Sequence, residues 1–466
     1  MTSTPFALTD PVLAELRARV RGRVLTPADP DWAAASTAWN LAVAQRPAAV
    51  VEVADAADAA ALVGWARERG AVVAAQPRGH GATAALDGTV LIRPHALDEI
   101  LLDAPARVAR VGSGVRWGDL LEALDGTGLI APAGSNPDVS VVGLLLGGGV
   151  SWFARRHGYA AHSLRAVEIV DGDGRLRWVS DDSDPDLMWA LRGGGGDIAV
   201  VTRVELDLHP ADGLHGGKLM FPITDAPAVL AAFLVATRTA PRELTLWASL
   251  VHFPPVPFLP EQVRGKSFVT VDSTFVGAAE EYGGLLAPVR AAGSVLADTT
   301  AELAIGRLGE VTQEPTDPAP AIAWGTLLRE LTPQTLERLV AAAGTPGSTA
   351  LVSVQLRHLG GALAEGPRGA AGAAAHSVAE PYLLWALGIA AVPEMVDPIR
   401  ASLSDLSSAV APVATDRVPP TLLAGGEPLA RAFDAATLAR LQAVKAQVDP
   451  AGTIRGNHPL GGAVLD

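Results

Sequence analysis

Three glycine tracts each close an apolar segment in the first half of the chain. Gly79-His80-Gly81 follows AVVAAQPR, Gly147-Gly148-Gly149 follows VVGLLL, and Gly193 to Gly196 follow LMWALR. Glycine at the end of a strand or helix lets the backbone come close to a ligand and aim N–H groups at it. The natural ligand of such loops is a phosphate or pyrophosphate. Two named phosphate motifs are absent: there is no G-x-x-x-x-G-K-[ST], and no G-x-G-x-x-G opens a helix after the first strand. Any one tract also reads as a tight turn of an α/β scaffold. Three together point to a nucleotide-type ligand.

His80 lies between two glycines, a setting with little side-chain packing. A surface turn and a role needing close approach to a ligand both fit this pattern. The other nine histidines form no H-E-x-x-H or clustered ligand set, so no metal site is expected. No G-x-S-x-G is present, so a nucleophile elbow is unsupported. The chain has no cysteine, which excludes disulfides, thiolate metal sites and a cysteine nucleophile.

With 466 residues, 49% hydrophobic and 18% charged, the chain can build a large core and divide into two or three domains. Its net charge of −14 disfavours nucleic acid, and Arg155 and Arg156 are only a pair. The first twenty residues lack the basic start and apolar core of a secretory signal, and no long uncharged apolar run suggests a membrane span. A cytoplasmic location is the expectation. Nothing in the sequence points to a particular oligomeric state.

Residues 49–75 read as a βαβ unit, with Asp55 capping the helix and Gly70 stopping it. RVARV, a helix from Trp117 and GLIAP repeat the theme over 107–130, and 164–180 reads as a hairpin. Beyond residue 208 the glycine clusters thin out. Strands LTLWASLVHF, SFVTVDSTFV and ALVSVQLRHL alternate with helices APAVLAAFLVAT, PQTLERLVAAA and VDPIRASLSDL. This pattern suits an antiparallel sheet with helices on one face. Residues 366–375 read as a Gly/Ala-rich loop, and FDAATLARLQAVKAQV as the last helix.

The segment RVLTPADPDWAAASTAWNLAVAQRPAAVVEVADAADAAALVGWARERG resembles the opening of berberine-bridge-enzyme-like FAD-linked oxidases. These belong to the vanillyl-alcohol oxidase / p-cresol methylhydroxylase superfamily. The resemblance continues in order through PRGHGA, PDVSVVGLLLGGGVSWFARRHGYAA, DPDLMWALRGGGGDIAVVT, LRHLGGA and DPAGTIRGNHPL. It implies an α+β fold, with a split FAD-binding domain of the vanillyl-alcohol oxidase type and a substrate domain whose antiparallel sheet is covered by helices. The corresponding segments are 1–208, 209–415 and a return over 416–466.

The resemblance also implies roles for particular residues. His80 would bond to the flavin 8α-methyl. Backbone groups of Pro77, Arg78, Gly79 and Gly81 would cradle the pyrophosphate. Gly134, Ser135, Asn136, Val142, Gly143, Gly147 and Gly148 would line the flavin and ribityl chain. Val200 would meet the adenine side, and Asn457 and His458 would reach the ring from the C-terminal strand. The implied reaction is hydride transfer to flavin N5 from a small, apolar or aromatic alcohol, amine or natural-product intermediate, with dioxygen as acceptor. Relatives that cyclise, dehydrate or isomerise without net oxidation supply an alternative, as does a flavin- or ligand-binding protein without turnover.

Several positions depart from the family pattern. The second flavin-attachment segment, C-P-x-V-G in many relatives, reads Asn136-Pro137-Asp138-Val139-Ser140, so one covalent bond is the maximum. The Tyr-x-Asn pair of many relatives is absent from PPTLLAGGEPLARAF. Val150 replaces a tyrosine found in some after the LGGG tract, and Asp197-Ile198-Ala199 replaces Asn-Phe-Gly. With the usual tyrosine base gone, candidates come from ALVSVQLRHLGGA. There alternation puts Gln355 and Arg357 on one face and His358 on the other. Gln355 can orient a substrate and His358 has the chemistry of a base. Each also reads as an ordinary polar strand residue. Tyr382 and Trp385 fall on the next strand as candidate pocket walls.

Overall fold

The computed structural model describes residues 8–257, 259–367 and 372–461, so part of the expected 366–375 loop lies outside the described residues. The βαβ signal at 49–75 is realised locally. Asp55 accepts the Asp58 amide at the start of the helix Ala56–Arg69, and Gly70 ends it in the left-handed region at φ 64°. Leu62, Val63, Trp65 and Ala66 bury one face of that helix. The flanking strands Ala49–Glu52 and Val73–Ala75 are not neighbours. Val90–Arg93 runs parallel between them, and Arg23–Leu25 completes a four-stranded sheet.

A five-stranded antiparallel sheet follows, in the order Ile100–Asp103, Val108–Gly112, Val200–Asp207, Leu164–Val170 and Leu176–Ser180. Its core takes in the helices Trp117–Ala123, Val141–Leu146, Pro185–Leu191 and, from the other end of the chain, Ala435–Val448. The C-terminal segment is tied back by backbone bonds from Val73 N to Thr453 O (2.8 Å) and from Arg455 N to Val73 O (2.8 Å). Asp197 locks the same segment. Its carboxylate accepts the amides of Gly456 (2.8 Å) and Leu460 (2.9 Å), and Lys445 donates to its carbonyl.

After His209–Pro210 pairs with Leu129–Ile130, the chain enters an eight-stranded antiparallel sheet at Leu214. Its main path runs Ala297–Asp298, Leu214–Pro222, Ser267–Val276, Leu244–His252, Ser353–His358, Tyr382–Ile389 and Ala321–Leu328. Period-two alternation divides its faces. Leu244, Leu246, Ala248 and Leu250 join Val269, Val271, Val354, Leu356 and Leu384 in a core under the helices Ala226–Thr239, Ala279–Arg290, Pro333–Ala343 and Val396–Val410. The opposite face packs on the first unit. Trp247 stacks on Trp152 with centroids 3.8 Å apart, and the Thr245 hydroxyl donates to Trp152 O (2.7 Å). The architecture is therefore α+β with a helix-covered antiparallel sheet. Among the described residues no helix is long and apolar enough to cross a membrane.

Candidate active site

The turn Pro77–Thr83 follows the strand Val73–Ala75. Gly79 holds φ 90°, and a Cβ there would stand 2.8 Å from the Ala38 side chain, so only glycine fits. The amides of Arg78, Gly79, His80 and Gly81 donate to no acceptor among the described residues. Successive free N–H groups in a turn form a concavity suited to an anion. Arg78 pairs with the buried Asp138, which joins this turn to the segment Gly134–Ser140.

His80 lies flat against Trp39, with centroids 4.2 Å apart and planes at 15°. The glycine turn is thus not bare, because a residue far upstream in the chain supplies the packing. Both ring nitrogens are buried, and neither meets a hydrogen-bond partner among the described residues. Burial pushes the imidazole pKa down to about 4, so the ring is neutral at ordinary pH. A buried polar atom without a partner is costly. A neutral imidazole with an unused nitrogen, beside four unused amides, fits a ligand that carries both a pyrophosphate and a carbon able to take a bond from nitrogen.

The other expected residues gather around this turn to different degrees. The Asn457 side-chain nitrogen lies 3.4 Å from where a Cβ on Gly81 would stand, and the Asn457 backbone carbonyl accepts the Thr83 hydroxyl (2.7 Å). His458 bonds to the Leu423 backbone, with its pKa lowered chiefly by burial. Pro77 O meets His95 Nε2 at 3.1 Å. Asn136 donates to Pro315 O (3.0 Å) and accepts the Asp138 amide (2.8 Å), so its side chain braces its own loop. Ser140 caps the short helix carrying Val142 and Gly143 by accepting the Gly143 amide at 3.2 Å. Gly134 and Ser135 precede this brace, and beside Gly134 the space a Cβ would take is free apart from Leu144. Val200 is buried in the core with Val73, Val170 and Ile454.

The later glycines serve packing as well. Gly147 runs against Thr421, and Gly148, at φ 89°, would bring a Cβ to 2.9 Å from Ala375. A Cβ on Gly193 would overlap Ala375 too. The amides of Ala374 and Ala375 bond to Trp189 O and Arg192 O, both at 3.0 Å. Part of the glycine signal thus belongs to the docking of the 372–378 segment.

On the inner face of the large sheet, cross-strand pairing sets Lys218, Asp272, Trp247, Arg357, Leu383 and Leu327 in one row. Thr270, Ser249, Gln355, Trp385 and Gly325 form the next. The Gln355 side-chain oxygen accepts two bonds from Arg357 (2.7 and 3.0 Å), whose guanidinium lies 3.9 Å from the Trp247 ring centre. Burial lowers the Arg357 pKa to about 10, and no carboxylate among the described residues is within ion-pair distance. His358 faces the helix side instead. Its Nε2 accepts from Arg155 (2.8 Å), and burial followed by the Arg155 charge pushes its pKa down to about 3. Tyr382 also departs from the pocket-wall expectation: its hydroxyl pairs with Thr237 (2.7 Å) under the helices, which leaves Trp385 on the inner face.

The segment Thr312–Ala321 joins the two sides. Thr312 O accepts from Lys218 (2.8 Å), Pro315 O from Asn136, Thr316 O from the Trp39 indole (2.8 Å), and Ala321 bonds both ways with Asn40. Sequence reasoning missed Trp39, Lys218 and Asp272. Only Asp272 left a signal, as the lone carboxylate in the β-branched run SFVTVDSTFV.

Residues 47–180 match the FAD-binding domain family, and the chain shares the fold of solved BBE-like and 6-hydroxy-D-nicotine oxidase structures. It is similar to the solved BBE-like 1 of Physcomitrella patens (TM-score 0.82, 18% identity, 97% of this chain and 100% of that one). The 6-hydroxy-D-nicotine oxidase of Arthrobacter nicotinovorans superposes with TM-score 0.79 at 22% identity, over 99% of this chain and 100% of that one. By sequence, an FAD-dependent monooxygenase of Fusarium proliferatum is 36% identical over 44% of this chain and 41% of its own length. The (R)-6-hydroxynicotine oxidase of Paenarthrobacter nicotinovorans is 30% identical over 60% of this chain and 61% of its own length. The matched stretches thus span about half the length of these curated relatives.

Proposed function

We propose that the chain is an FAD-linked oxidoreductase that holds its flavin through one covalent bond from a His80 ring nitrogen to the 8α-methyl carbon. The observation that carries this reading is the neutral His80 ring, whose buried nitrogens, like the four neighbouring amides, find no partner among the described residues. Forming that bond would take one hydrogen from the methyl group and the N–H proton from the imidazole, with dioxygen as the two-electron oxidant. The amides of Arg78 to Gly81 hold the pyrophosphate. The 134–143 segment and Asn457 with His458 close around the ring system.

FAD, when bound, would supply a hydride acceptor at N5 that dioxygen can reoxidise. The chain's own contribution is placement and exclusion of water. The substrate enters between the 77–83 turn and the inner face of the large sheet. Trp385, half-buried on that face, supplies an aromatic wall, which suits a small apolar or aromatic alcohol, amine or natural-product intermediate. Gln355, held by Arg357, offers a fixed amide to orient it. Its carboxamide cannot accept a proton at neutral pH. His358 lies on the far face with Nε2 already engaged, which leaves it no part in this scheme.

The test is an absorbance spectrum of purified protein under anaerobic conditions, against a panel of aromatic and aliphatic alcohols and amines. A flavin spectrum bleached by a panel member and restored by air supports the oxidase. A flavin that no turned-over compound bleaches indicates a non-redox flavoenzyme. A colourless protein that takes up no added FAD overturns the reading.

A further inference from the structure

Asp272 sits in the middle of the Ser267–Val276 strand with its side chain on the inner face of the sheet. It is only 3% exposed. One carboxylate oxygen accepts weakly from Thr270 (3.3 Å), while Oδ1 meets no hydrogen-bond partner among the described residues. Lys218, its cross-strand neighbour, stands 3.6 Å from that Oδ1 and donates instead to Thr312 O. The pair therefore leaves a buried oxygen with spare accepting capacity. A purely structural ion pair buried this deeply would be expected to close that bond. Four residues along, Thr316 O holds the Trp39 indole that stacks on His80. Four residues of chain span about 14 Å at most, so the carboxylate and the His80 turn flank one short segment.

We propose that Asp272, positioned by Lys218, is the proton acceptor of the active site, and that the substrate carries an ionisable O–H or N–H on the carbon that is oxidised. This rests on the flavin-dependent oxidation proposed above. For an alcohol, the O–H bond breaks and its proton passes to Asp272 Oδ1. The C–H bond breaks and its hydrogen leaves with the electron pair, as hydride, for the oxidant, bound FAD regenerated by dioxygen with release of hydrogen peroxide. The C–O bond becomes C=O. Asp272 thus takes the task that the family's tyrosine performs elsewhere.

The charged groups facing Asp272 are Lys218 on one neighbouring strand, Arg357 beyond Trp247, and Glu314 on the bridging segment. Burial pushes the Asp272 pKa up to about 6, Lys218 pulls against that, and Glu314 adds to it. A carboxylate poised there is ionised at neutral pH and still basic enough to accept a proton.

The experiment compares flavin-loaded wild type, Asp272→Asn and Lys218→Met. Flavin content is measured first, and a wild type without flavin defeats the proposed function rather than the role of Asp272. Infrared titration of the substrate-free proteins is expected to show a carboxyl band titrating near pH 6 that Asp272→Asn removes. With the best alcohol or amine of the panel, Asp272→Asn should keep its flavin, lose about 100-fold or more in kcat/KM, and lose the acidic limb of the pH profile. Lys218→Met removes the favourable charge, so both the infrared midpoint and the acidic limb should move to higher pH. Should Asp272→Asn not fold, Lys218→Met alone decides. A carboxyl band unaffected by either variant, turnover of Asp272→Asn within about tenfold of wild type, or an unmoved limb in Lys218→Met would overturn the proposal.

Discussion

Trp39 and His80 are stacked at 4.2 Å with their planes 15° apart, and the Trp39 indole is itself fixed by Thr316 O. The stack sets the plane of the imidazole and so the direction of its nitrogen lone pair. Trp39→Ala should lower the fraction of acid-stable flavin and cost about 1 kcal/mol of stability, whereas Trp39→Phe should retain most of both. Equal acid-stable flavin in Trp39→Ala and wild type would show that the stack does not orient the ring.

Burial is the first cause of a lowered pKa at His80, His162 and His209, each about 4, and at His358, about 3. An unfolded histidine takes a proton near pH 6.5, whereas these folded ones refuse it until about pH 4 or below. Between those limits the unfolded state binds more protons, so stability falls as pH falls. Asp272, Asp197 and Asp207, all raised by burial, run the opposite way, but they stand against these four histidines and against His95, His252 and His458, which burial lowers as well. Flavin-free protein should lose about 2 kcal/mol or more between about pH 7 and pH 5 in urea denaturation. A flat stability over that range would contradict the burial of these rings.

The local parts of this fold could be read directly. The Asp55 cap, the Gly70 stop and the alternation in 353–358 are written within a few residues, because they depend on backbone geometry and burial period. The family motifs placed His80 in the FAD-binding unit for the same reason. What escaped are relations across distance. Trp39 covers His80 only because segment 312–321 returns from the other unit. Gly193 looked like a ligand loop but accommodates Ala375, a partner 182 positions away by sequence number. The strand Leu214–Pro222 carries Gly216 and Gly217 and breaks alternation, which hid the lysine that faces Asp272.

Asp197 replaces the asparagine of the family pattern, and both its oxygens accept backbone amides from the C-terminal segment. Burial raises its pKa, and Lys445 opposes that rise. Asp197→Ala would strand two buried N–H groups and is expected to cost about 2–4 kcal/mol. It should also loosen Asn457 and His458, so flavin retention on gel filtration should fall along with the melting temperature. Unchanged retention and melting temperature would show that the segment is held by other contacts.

The most direct measurement is acid precipitation of wild-type and His80→Ala protein, followed by the flavin spectrum of pellet and supernatant. Wild type is expected to keep its flavin in the pellet. His80→Ala is expected to bind FAD through the remaining amides and release it to the supernatant. Acid-stable flavin in His80→Ala, or wholly soluble flavin from wild type, would contradict attachment through His80.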